Sequence, residues 1–117
     1  MMDRKKELKM QYKQMKPDMG LIVVRPKSGN KFFLQATQNL KGFMNRIIFQ
    51  LDTGRHPNRE LQKAWQELGK NNFMVEVLEK LEYDEDESKT DYSDELALLE
   101  LEWREKLLAQ GLEPYVK

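Results

Sequence analysis

The sequence predicts one small α/β (α+β) domain over residues 1–117, a three-stranded antiparallel sheet flanked by helices in the order α-β-β-α-α-β-α. Three observations predict it. Two short β-branched or aromatic segments are separated only by turn residues, as in a hairpin. Several longer stretches repeat apolar residues at helical spacing. The composition, 39% hydrophobic and 34% charged over 117 residues, suffices for one core and lies outside the disordered class.

Residues 3–16 lack Gly and Pro and place Leu8, Tyr12 and Met15 at helical spacing, with Lys5, Lys9, Lys13 and Lys16 as a second stripe. Pro17 ends this N-terminal basic helix. Gly20 to Arg25 and Lys31 to Gln35 read as strands joined by the turn Pro26-Lys27-Ser28-Gly29-Asn30. Leu40, Phe43, Met44, Ile47, Ile48 and Leu51 then form a wide helical face, with Thr37 or Gln38 as its start and Asp52-Thr53-Gly54 as its stop. A further helix carries Leu61, Ala64, Trp65 and Leu68, with Pro57 at its first position and Gly69 at its end. Phe73, Val75 and Val77 mark a third strand reaching about Leu81. An acidic loop over 83–92 precedes a last helix from Asp94 to about Gln110, with Leu96, Leu99, Trp103 and Leu107 inward. The core of the domain is thus expected over residues 20–110.

The net charge is zero, yet residues 1–70 carry +9 and residues 71–117 carry −9. Such segregation suits a basic face for a polyanion, or two halves that attract each other across the fold. The chain has no Cys, which excludes disulfides and thiolate chemistry and fits a reducing cytoplasm. No purely apolar run exceeds four residues, as in Leu21 to Val24, far too short for a bilayer, and no apolar signal segment follows Asp3-Arg4-Lys5-Lys6. The expectation is a soluble, cytoplasmic protein.

His56 is the single imidazole, so no pair of histidines can do catalysis or hold a metal. It precedes a helix start, where backbone N–H groups favour a phosphate, and its ordinary alternative is a cap or surface role. Glu100 falls between Leu96 and Trp103 on or beside the inward face of the last helix, so it needs a partner, a metal or an outlet to solvent. Asp84, Asp86, Ser88 and Glu95 have the spacing of a calcium loop, but Lys89 replaces the glycine that its turn requires. Lys9, Lys13, Lys41, Arg46, Arg55, Arg59 and Lys63 are the candidates for contacting nucleic-acid phosphates.

Several motifs occur in a fixed order. Gly20-Leu21-Ile22 is followed by Lys31-Phe32-Phe33-Leu34-Gln35, then Thr37-x-Asn39-Leu40, then Gly54-x-His56-x-Asn58-x-x-Leu61-Gln62-x-Ala64-Trp65. Gly69, Phe73, Val77-Leu78-Glu79 and Glu100-x-x-Trp103 complete the set. Together they resemble the GIY-YIG nuclease superfamily over Gly20 to about Trp103. The resemblance implies a site on one sheet face with two Tyr hydroxyls, a helix Arg, a His, and a Glu holding one Mg²⁺ or Mn²⁺ ion, which together hydrolyse a phosphodiester.

His56 and Glu100 occupy the matching positions, but the two Tyr positions are Ile22 and Phe33 and the Arg position is Phe43. Gln35 stands at the second-motif Gly, and Val116 follows Tyr115 where the family often has Asn. Arg46, one turn beyond Phe43, is the remaining candidate for the phosphate charge, so the residual catalytic set is His56, Glu100 and Arg46, with any metal on Glu100. Losing a general acid or base costs about 10²–10⁴ in rate and losing a charge-stabilising donor about 10²–10³. The implied function is a nuclease-like domain with a degraded catalytic centre, acting as a DNA-binding or other nucleic-acid-binding regulatory module. The alternatives are a divalent-metal-dependent endonuclease and a domain that engages a protein partner through its acidic half.

Overall fold

The computed structural model describes residues 16–115. They form β1 (Met19–Pro26), β2 (Lys31–Thr37), α1 (Leu40–Asp52), α2 (Arg59–Leu68), a 3-10 turn (Lys70–Asn72), β3 (Phe73–Leu81), α3 (Ser93–Ala109) and β4 (Glu113–Pro114). The helix expected over 3–16 falls almost wholly outside the described residues. Among the described residues no helix is long and apolar enough to cross a membrane.

The hairpin is antiparallel, with Ile22 opposite Gln35 and Val24 opposite Phe33. β3 pairs antiparallel with the other side of β1. The expected three-stranded antiparallel sheet needs correcting: a fourth strand, β4, runs parallel to β2, giving a mixed sheet ordered β3-β1-β2-β4. Two residues, one of them a proline without an N–H, carry no strand signature of their own. Long-range bonds make the strand, from Glu113 N to Asn30 O at 2.7 Å and from Tyr115 N to Phe32 O at 2.8 Å.

β1 is central and buried on both sides, which explains its unbroken apolar run in place of alternation. Ile22 and Val24 pack against Leu40, Ile47 and Leu51 of α1 and Leu61 and Trp65 of α2. Leu21 and Val23, on the opposite face with Phe32 and Leu34, pack against Leu99 and Leu107 of α3. The domain is therefore three layers, α1 and α2 on one face of the sheet and α3 on the other. Each fully buried Ile or Leu in these clusters stabilises the fold by about 1.5–3 kcal/mol.

Gly20 is required by close approach, since a Cβ there would collide with the Glu79 carbonyl of β3. Just past it the β1–β3 register shifts between Leu21 and Ile22, so Leu78 is the extra residue of a bulge and packs toward α3. Two helix starts also move. The N-cap of α1 is Asn39, whose side chain accepts from Gly42 N at 3.0 Å, in place of Thr37 or Gln38. Pro57 is not helical, because Asn58 caps α2 by accepting from Leu61 N at 3.0 Å.

Candidate nucleic-acid interface

The segment between α1 and α2 is fixed by side chains that replace missing backbone partners. Gln62, buried on α2, donates to Leu51 O at 2.8 Å and accepts from His56 N at 3.0 Å, so both ends of the connection are tied to one amide. Asn58 caps α2, donates from Nδ2 to Tyr115 O at 3.3 Å, and donates its own N–H to His56 Nδ1 at 3.0 Å. His56, Asn58 and Gln62 are the buried polar residues among those described. Asn58 and Gln62 use both ends of their amides, while His56 uses its backbone N–H and Nδ1.

His56 is 6% exposed, so it is neither a surface residue nor a helix cap. Burial holds its pKa below the ordinary imidazole value of 6.5. Because Nδ1 accepts the Asn58 N–H, the neutral ring carries its proton on Nε2 and presents a donor there. The Phe33 ring meets His56 edge-on, with centroids 5.2 Å apart and planes at 87°.

His56 separates two hollows. One, of about 260 Å³, is lined by Phe33, Gln35, Phe43, Arg46, Gln50 and Asn58. The other, of about 590 Å³, is lined by Arg55, Arg59, Gln62, Lys63 and Gln66. No carboxylate lines either one. Arg46, Arg55 and Arg59 are exposed and form no ion pair with a described carboxylate, while Lys63 has only a loose contact with Glu67 at 3.9 Å. Four of the cations expected to contact phosphate thus surround one imidazole. Lys41 lies apart, in a groove with Lys16 and Lys80. Lys9 and Lys13 are outside the described residues.

Among the described residues the two charged halves share few direct ion pairs. Of the ion pairs among described residues, only Lys80 to Asp18 at 3.2 Å joins them, and there the base belongs to the acidic half. The acidic loop packs elsewhere, held by Gln38 Nε2 donating to Thr90 O at 3.1 Å.

Glu100 reaches the same region from the opposite layer. It lines a hollow of about 440 Å³ with Phe33, Gln35, Asn58, Arg104 and Tyr115, and the first three of these also wall the His56 hollow. The site expected on one sheet face therefore straddles the sheet. β4 covers only Lys31 and Phe32, and the open β2 edge beyond them lets the two layers approach. Glu100 is half-buried and ion-paired to Arg104 at 3.7 Å.

Hard divalent cations take oxygen donors, commonly one or two carboxylates with substrate phosphates. Glu100 is the lone carboxylate of its hollow and already carries a guanidinium, and no group of three His, Cys, Asp or Glu converges among the described residues. A divalent ion there would be held by Glu100 as its protein carboxylate, in competition with Arg104, with substrate phosphates supplying further oxygens. Ile22 is fully buried between the sheet and α1, so that position faces core, whereas Phe33 and Phe43 do face the hollow. Val116 lies outside the described residues.

Sequence reasoning missed Asn58 and Gln62 as organisers of the site. The N-cap pattern Asn58-x-x-Leu61-Gln62 was their available signal. Tyr115, which the sequence reading noted only as the residue before Val116, lines the Glu100 hollow, and its phenol pKa is raised by burial and by the charge of Glu60.

No protein-family model matches the chain. No curated protein matches it either. Two solved structures do. The catalytic domain of homing endonuclease I-TevI superposes with a TM-score of 0.66 at 19% identity, covering 85% of this chain and 99% of that one. A glutamate-to-alanine variant of the catalytic domain of intron endonuclease I-TevI gives 0.64 at 19% identity, covering 82% and 90%. The described chain thus has a GIY-YIG-like fold, with its His56 and Glu100 brought to adjoining hollows at the β2 edge.

Proposed function

We propose that the protein is a nuclease-like module that binds nucleic acid, DNA in the first instance, through the basic hollows around His56, and that its catalytic centre is degraded. The observation that carries this reading is the lining of those hollows, three arginines and a lysine with no carboxylate. Such a surface attracts phosphates and releases counterions when it binds them. Its chemistry is limited to binding. Phe33 offers a ring edge where the family resemblance expects a hydroxyl, Phe43 an apolar side chain where it expects a guanidinium. His56 in its neutral form carries its proton on Nε2, which suits donation to a phosphate oxygen and not abstraction of a proton. Arg46 and Arg55 supply charge from the rim.

Binding of a short duplex, followed against salt concentration, tests this reading. If all four cations neutralise phosphates, the log–log slope is about −3.6, from −0.9 per phosphate. Absence of binding at low salt, or a flat salt dependence, overturns the proposal. Supercoiled plasmid incubated with excess protein and Mg²⁺ or Mn²⁺ remains intact. Nicking that disappears in Glu100→Ala would replace the degraded centre with a working one.

A further inference from the structure

The hollow between β2 and α1 has a lining that phosphate binding does not use. Phe33 and Gln35 are two apart on β2 and so share one sheet face, while Phe43, Arg46 and Gln50 follow one another at helical spacing along α1. Two aromatic rings and two amides thus line a space of about 260 Å³, just under the roughly 300–1,000 Å³ of sites that enclose drug-sized ligands. Both rings are half-buried at the edge of the core cluster. The Gln50 side-chain amide makes no hydrogen bond with a described residue, and Gln35 uses only its Nε2, donating to Ala36 O at 3.1 Å. Flat apolar walls beside unengaged amide groups suit a heterocycle with a polar edge, and a phosphate requires neither.

The neighbouring hollow is its complement. Apart from the shared His56 it has no aromatic side chain, and Arg55, Arg59 and Lys63 line it. Rings and amides in one hollow and cations in the next, with one imidazole common to both, divide this surface as a nucleotide is divided into base and phosphate.

We propose that the hollow between β2 and α1 holds one unpaired base of a nucleic acid whose flanking phosphates lie on Arg46 and on the cations of the neighbouring hollow. The proposal rests on the reading that these basic hollows bind nucleic acid, and it adds what they select. A base within a duplex has both faces covered by its neighbours and its hydrogen-bonding edge paired. Only an unpaired base can lay a face on Phe33 or Phe43 and an edge on Gln35 or Gln50. The cations then supply affinity for any strand, and the hollow supplies a preference for a strand with a base out of its stack.

Two duplexes, identical except for one extrahelical position that carries either thymine or an abasic sugar, present the same phosphates, so the ratio of their affinities isolates the base. The unaltered chain should bind the thymine duplex about tenfold more tightly, the scale of one base stacked on an aromatic ring. Phe43→Ala should bring this ratio close to one, whereas Arg55→Ala combined with Arg59→Ala should weaken both duplexes and leave the ratio in place. A ratio near one for the unaltered chain, with both duplexes bound, overturns the base hollow and leaves the phosphate surface standing. Failure to bind either duplex removes both readings. A preference that survives Phe43→Ala and Phe33→Ala alike places the base elsewhere and overturns the proposal too. Photocrosslinking of the unaltered chain needs no substitution: with 5-iodouracil at the extrahelical position, adducts should map to Phe33, Phe43 or His56. No adduct at these residues also overturns it.

Discussion

The two helical layers of the sheet organise polar groups in opposite ways. On the α1 and α2 side, His56, Asn58 and Gln62 are buried and bonded to one another and to the backbone, so one imidazole is held in one tautomer beneath a rim of exposed arginines. On the α3 side, Glu100 sits half-open with a same-helix arginine, and leucines lie in solvent among acids. Buried, satisfied networks specify a geometry, whereas exposed i,i+4 ion pairs contribute little and move easily. The cleft is thus fixed by buried hydrogen bonds where it would grip a phosphate, whereas Glu100 is held only by a same-helix ion pair.

Both layers depend on the one sheet they share. Gly20→Ala drives a methyl group into the β3 backbone and should cost about 3 kcal/mol or more, measured by thermal unfolding. Stability close to that of the unaltered chain would mean that β1 and β3 can separate without harm to the core.

Asn58→Ala comes next. It removes a helix cap worth about 1 kcal/mol and orphans the buried Tyr115 carbonyl at a similar cost, for about 2 kcal/mol in denaturant unfolding. An exposed substitution on the α3 side, Glu102→Ala, should change stability by less than about 0.5 kcal/mol. Equal effects at both sites would erase the contrast.

Arg55→Ala combined with Arg59→Ala should weaken duplex binding about tenfold near 0.1 M salt and flatten the salt slope by nearly two, while leaving the fold intact. An unchanged slope would move the phosphate contacts elsewhere.

The smallest expected effect is pH dependence. The His56 pKa lies lower in the folded chain than in the unfolded one, because burial disfavours the imidazolium. Below about 6.5 the unfolded chain therefore binds the extra proton. The contribution of His56 is complete above that pH and declines as pH falls toward the folded value. His56→Gln should lose this decline in urea midpoints measured between pH 7 and pH 5.5. A decline that persists in His56→Gln would assign it to other groups.

Much of this architecture was legible in local pattern. The hairpin, the apolar faces of α1, α2 and α3, the helix stop at Gly69 and the strand reaching Leu81 all follow from periodicity and turn chemistry. Helix starts were misjudged by one or two residues, because Thr37, Gln38 and Asn39 all accept hydrogen bonds and only the backbone path selects Asn39. In the site, the sequence named His56, Glu100 and Arg46. It gave no means of seeing that Asn58 and Gln62 set the imidazole, since a capping amide and a core amide look alike until their partners are known.

What the chain composition determined by itself was the set of elements, the segregation of charge, and the apolar residues at the positions where the family resemblance expects phenols and a guanidinium. Those are local properties, fixed by which side chain occupies which position. The tertiary structure alone decided that β4 adds to β2, that Glu100 meets the His56 region around an open sheet edge, and that four basic residues share hollows without a carboxylate. Each depends on contacts between residues distant in sequence, which arise only when the layers close on a common core.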